Sequence, residues 1–159
     1  METNKLALDP VHRALDKIAK CEDPKQLKQI AKNAGLHGEC GVRHAAELKL
    51  YAVLPSAQPG TLQHDVWQSV YALEGALAAE RGKTVLLART RQKIARDGEQ
   101  GTVASLVLGN VSDGFRMLLD RNMPELTFEA VALRHAADFS QDVLTAAKSR
   151  LLEVGYDPK

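Results

Sequence analysis

Between Thr61 and Glu80 the apolar residues recur at a helical period. Leu62, Val66, Val70, Leu73 and Leu77 stand at i, i+4, i+8, i+11 and i+15. That spacing puts all five on one side of a helix, whereas a strand would scatter them over both faces. Trp67, Tyr71 and Ala78 widen the stripe, so this helix is expected to pack on two sides. A chain that must cover such a helix needs further helices around it. The remaining composition agrees, because its apolar set is mostly Ala, Leu and Val with only 4% aromatics, and strands favour aromatic and β-branched residues.

Upstream, Asp9-Pro10 and Asp23-Pro24 each read as a helix N-cap followed by proline at the first helical position. Val11, Ala14, Leu15 and Ile18 form one apolar face, and Leu27, Ile30, Ala31 and Ala34 form the next. Gly35 is the expected stop of the second helix. A third helix is expected from about Glu39 to Leu54, ended by Pro55. Ser56 to Gly60 is a turn, and it divides the chain into an N-terminal three-helix unit (residues 1–55) and a second segment (residues 61–155). With 159 residues the two are expected to share one core.

A basic helix is expected from about Lys83 to Asp97, stopped by Gly98. Beyond it the elements shorten. Thr102 to Leu108 is read as helix because no partner strand is visible. Ser112, Thr127 and Ser140 are expected N-caps, with short helices near Phe128–Arg134 and Gln141–Glu153. Leu126 with Val131, and Phe139 with Leu144, are placed to act as hydrophobic staples. The fold class is therefore all-α: a multi-helix orthogonal or antiparallel bundle of about eight helices, with an N-terminal trio and a C-terminal subdomain of short helices.

Charge supplies the main functional feature. Arg81 to Arg96 holds Arg81, Lys83, Arg89, Arg91, Lys93 and Arg96 and no acid, so this block carries +6. The whole chain carries +1, which leaves −5 for everything else. Arg89, Lys93 and Arg96 at i, i+4 and i+7 form a strip separate from Leu87 and Ile94, flanked by Thr90 and Gln92. Such a strip suits an acidic protein surface or a phosphate backbone. A solvated helix face is the plain alternative, and Asp97 is the nearest acid able to neutralise it. The near-neutral total favours a protein partner over nucleic acid. The proposed binding surface is Lys83, Arg89, Gln92, Lys93 and Arg96, helped by Lys148.

Arg91 falls inside the apolar arc between Leu87 and Ala95. A buried guanidinium requires a carboxylate, and Glu129 or Asp120 is the expected partner. Cys21, His37, Cys40 and His44 offer two sulfur and two nitrogen ligands of the kind zinc takes, although their spacing matches no standard zinc module. Without that metal no cofactor is implied.

Catalytic patterns are sparse. There is no phosphate-cradling glycine loop after a strand and no Gly-x-Ser-x-Gly elbow. His64-Asp65 are adjacent on a helix and point apart, and His135 with Asp138 shows no partner that specifies a reaction. Thr127 to Leu151 has the outline of a helix-turn-helix, but Asp142 in its second helix would face phosphates. The two cysteines make no disulfide framework, and no signal peptide or membrane span is visible. The reading is a cytoplasmic, non-enzymatic interaction or regulatory module. A nucleic-acid binder is the first alternative, and an uncharacterised enzyme or zinc domain the second.

Overall fold

The computed structural model of the chain describes residues 9–158. Among them every regular element is helical. The helices are α1 (Pro10–Lys20), α2 (Pro24–Leu36), α3 (Cys40–Val53), α4 (Leu62–Arg81), α5 (Ala88–Leu108), α6 (Asp113–Asp120), α7 (Phe128–Arg134) and α8 (Gln141–Glu153). Single 3-10 turns at Pro124–Leu126 and Ala136–Asp138 flank α7. The chain divides into two compact units, one ending at Leu54 and the other beginning at Pro55.

The first unit is a helical trio in which α3 packs on both α1 and α2. Its buried residues are Ile18 from α1, Leu27 and Ala34 from α2, and Val42, Ala46, Leu50 and Tyr51 from α3. Both prolines occupy the first helical turn as expected, where no intrahelical N–H is lost. Only Asp23 caps with its side chain, accepting the Lys25 N–H at 2.9 Å; Asp9 makes no such bond. The second helix runs one residue past Gly35, and the left-handed residue after it is Gly38 (φ 70°). Gly35 carried the expected stop, but the reversal in chain direction falls three residues later, where the positive φ is needed.

The second unit is built around α4. Val66 and Val70 are fully buried, Leu62 and Leu73 nearly so, and α5, α6 and α7 all pack against this helix. Ile94, Val103 and Val107 from α5, Val131 and Ala132 from α7, and Val143 and Ala147 from α8 complete one continuous core with Leu62, Val66 and Val70. Thr61, Ser112, Thr127 and Ser140 cap α4, α6, α7 and α8 by accepting N–H bonds from His64, Phe115, Ala130 and Val143. Each satisfies a donor that the first helical turn leaves free. Gly82 (φ 67°) closes α4 in the left-handed conformation. Gly98 (φ 76°, ψ 172°) interrupts α5, so residues 88–97 and 99–108 are two helical segments meeting at a kink.

Candidate functional site: the basic segment and its ion pairs

The basic block is not one helix. After Gly82 the chain forms no regular element through residues 84–87, and α5 begins only at Ala88. Lys83 therefore stands exposed on the connector and not on the basic helix. Glu74 of α4 accepts the Leu87 N–H at 3.3 Å, one residue before α5 starts.

On α5 the strip exists but is partly neutralised from within. Arg89 and Gln92 are exposed, and among the described residues Arg89 has no ion-pair partner. Lys93 Nζ lies 3.3 Å from Asp97 Oδ2. Arg96 donates to both Asp97 oxygens, at 3.0 and 3.1 Å. The Arg96 hydrogen bond holds the Asp97 carboxyl below its ordinary value, and the same bond raises the Arg96 guanidinium. Two of the three cations thus share one acid. Arg96 is still 70% exposed while Lys93 is 25% exposed, so the open charge sits at Arg89 and Arg96. Just before α5, Leu86 is 61% exposed.

Arg91 is paired, but with neither expected acid. Its partner is Glu74, which takes Nε at 2.6 Å and Nη2 at 3.0 Å. The guanidinium carbon also lies 5.3 Å from the Trp67 ring centre and 5.8 Å from that of Tyr71, within range of cation–π attraction. The Glu74 hydrogen bond raises the Arg91 pKa further. Glu74 occupies the next i+4 position after Val70, inside the apolar stripe of α4, where a carboxylate must find a cation. Glu129 is committed elsewhere: it accepts from Arg150 Nη1 at 3.0 Å. Arg150 also donates to the Leu106 and Gly109 carbonyls that end α5. Asp120, the other expected partner, is exposed.

The four metal-ligand candidates do not converge. Cys21 turns its thiol toward the Asp23 carbonyl (3.6 Å) and the Gln26 side chain (3.7 Å). His37 and Cys40 are exposed and His44 is half-buried. Among the described residues no three His, Cys, Asp or Glu side chains are grouped to hold a metal ion.

A further cluster joins residues that are far apart in sequence. Asp65, in the first turn of α4, meets His135 at the end of α7, with Oδ2 2.7 Å from Nε2. Arg134 Nε lies 3.4 Å from the same oxygen, and His64 Nδ1 is 3.5 Å from the other. Burial pushes the Asp65 carboxyl upward, but the hydrogen bond from His135 and the charge of Arg134 outweigh it, and the net shift is downward. The adjacent pair His64-Asp65 is thus less telling than the 70-residue pair. Asp138, beside His135 in sequence, is exposed at the end of a 3-10 turn. The cluster fastens the start of α4 to the end of α7 and fixes the His135 ring against a carboxylate.

The helix-turn-helix outline resolves into a core hairpin. Glu129 to Ala132 of α7 are buried, as are Val143, Ala147 and Leu151 of α8. Gln141, Asp142, Thr145, Lys148 and Ser149 are exposed on the other side of α8. Among the described residues no helix is long and apolar enough to cross a membrane. No protein-family model, curated protein or solved structure matches the chain.

Proposed function

We propose that the chain is a helical interaction module. Its docking surface is the connector before α5 together with the exposed strip of that helix, and its partner is a protein surface bearing carboxylates around an apolar residue. One observation carries the reading: Leu86, 61% exposed, stands two residues before a helix that offers an unpaired Arg89 and an Arg96 that is 70% exposed although bonded to Asp97. An exposed large apolar side chain in the same stretch of chain as exposed guanidinium groups has the composition of an interface, where apolar anchors supply energy and charges supply orientation.

Nucleic acid is the second reading of the same strip, since Lys83, Arg89 and Arg96 are all exposed cations. It is the weaker one. Leu86 has nothing to bury against on a sugar-phosphate backbone, and the near-neutral total charge lacks the basic excess such a partner favours. An enzymatic or zinc-dependent role has less support still, because the candidate ligands lie apart. The two free cysteines favour a reducing compartment such as the cytoplasm.

The test is affinity selection of displayed helical peptides against the intact protein. The expected winners carry Asp or Glu around a Leu, Ile or Phe and are lost when Arg89 and Arg96 are changed to glutamate. A parallel titration with duplex DNA and single-stranded RNA at low salt separates the readings. Tight, steeply salt-dependent binding there, with no peptide enriched, would replace the protein partner by nucleic acid.

A further inference from the structure

Unpaired positive charge also gathers on α2. This helix contains no acid and three lysines, Lys25, Lys28 and Lys32, and all three are exposed. At i, i+3 and i+7 they fall within an arc of about 60°, opposite the buried Leu27 and Ala34. The acids beside this face are committed. Glu22 meets Lys49 at 3.0 Å, Glu47 meets Arg43 at 2.9 Å, and Asp23 caps the helix. Glu39 stands beyond the turn at Gly38. Among the described residues no carboxylate pairs with Lys25, Lys28 or Lys32. On α5, by contrast, Lys93 and Arg96 share Asp97.

The row runs on into Leu36, one turn past Lys32. At 75% exposure Leu36 is the most exposed large apolar residue among those described. From Lys25 to Leu36 the row is about 16 Å long, or about three helical turns.

Leu36 selects among the polyanions that such a row attracts. Three exposed ion pairs together contribute about as much as burying one leucine, so a partner that leaves Leu36 in water loses about half of the attraction. A sugar-phosphate backbone has nothing to bury it against. An anionic bilayer does, but three lysines fall short of the about four to eight basic residues that mark a lipid-binding segment. An acidic helix supplies both parts. Carboxylates three and four residues apart repeat the lysine spacing, and an apolar residue one turn further on meets Leu36.

We propose that α2 is a docking face for an acidic helix of about three turns that carries an apolar residue at one end. The face lies in the first unit, shares no residue with the α5 surface and does not depend on it. The two faces suit different helices: on α5 the partner's apolar residue sits among its acids, and on α2 it sits beyond them.

Titration of the intact protein with a helical peptide of the second design, followed by amide chemical shifts, tests it. The expected result is saturable movement at Lys25, Lys28, Lys32 and Leu36 that persists in Arg89→Glu/Arg96→Glu. The substituted side chains are exposed, so Lys28→Glu/Lys32→Glu and Leu36→Asp should stay folded by circular dichroism. The first should weaken binding at this face about tenfold or more, and the second about threefold or more. Exchanging the peptide's leucine for alanine should also weaken it about threefold. Duplex DNA, and vesicles of phosphatidylcholine and phosphatidylserine, should bind this face more weakly than the peptide at the same ionic strength. No saturable shift on α2 overturns the proposal, and shifts confined to α5 would overturn it while leaving the α5 surface standing. Indifference to both α2 variants, equal binding of the alanine peptide, or tighter binding of DNA or vesicles would do the same.

Discussion

Glu74 ties α4 to α5 in the second unit. It holds Arg91 with two hydrogen bonds and receives the Leu87 N–H, so one buried carboxylate bonds both α5 and the residue before it. Glu74→Ala strands a guanidinium whose side chain is 31% exposed. Partial hydration softens the loss, and the expected cost is about 2–3 kcal/mol in urea denaturation. Replacing both partners by methionine should recover much of it, because an apolar pair removes the stranded charge. Asp65 makes a second test at this scale. Its carboxyl titrates lower in the folded chain than its ordinary 3.8, so its contribution is present above that value. It is lost as pH falls through the folded value. The stability gap between the protein and Asp65→Asn should close progressively as pH falls below about 4. A gap unchanged down to pH 2 would remove the ion-pair account of this residue.

Among the elements, α5 is where sequence and structure part company. The caps and starts of α6, α7 and α8 were legible because each follows a Thr or Ser placed before an apolar period, a local signal with a local cause. The stripe of α4 was legible for the same reason. The partners of Arg91 and His135 were not, since each contact spans a gap in sequence that periodicity does not measure. A signal for the first did exist: Glu74 stands in the apolar row 62, 66, 70, 74, and an acid there demands a base from a facing helix. No equivalent signal pointed from Asp65 to His135. The start of the basic helix was misplaced by five residues: Leu87, the residue before it, bonds to Glu74 thirteen residues away, a contact that periodicity does not measure. Gly98 gives this element its testable feature. Its φ of 76° with ψ of 172° lies in a region open essentially to glycine alone. A Cβ there would meet no atom within 4 Å, so Gly98→Ala isolates backbone strain from steric clash. The expected loss is about 1–3 kcal/mol, read as a lower thermal midpoint. A midpoint equal to that of the parent protein would mean the kink is not imposed by the fold.

At the scale of the molecule, the division after Leu54 matters most. The main core of the second unit draws all its buried members from Leu62 through Ala147. The segment 55–159 expressed alone is therefore expected to be helical by circular dichroism and to unfold in one cooperative transition. Non-cooperative melting would show that its core is incomplete. The proposed α5 surface lies in this unit and should survive the truncation. The functional account rests on that surface, and one experiment addresses it directly. The binding isotherm of a selected acidic, leucine-bearing helical peptide is to be measured for the parent protein, Arg89→Glu/Arg96→Glu, Leu86→Asp and Lys148→Glu. The account predicts that affinity falls about tenfold or more for the first two variants, each removing one part of the surface, and is unchanged for Lys148→Glu. Equal affinity for all four proteins would contradict it.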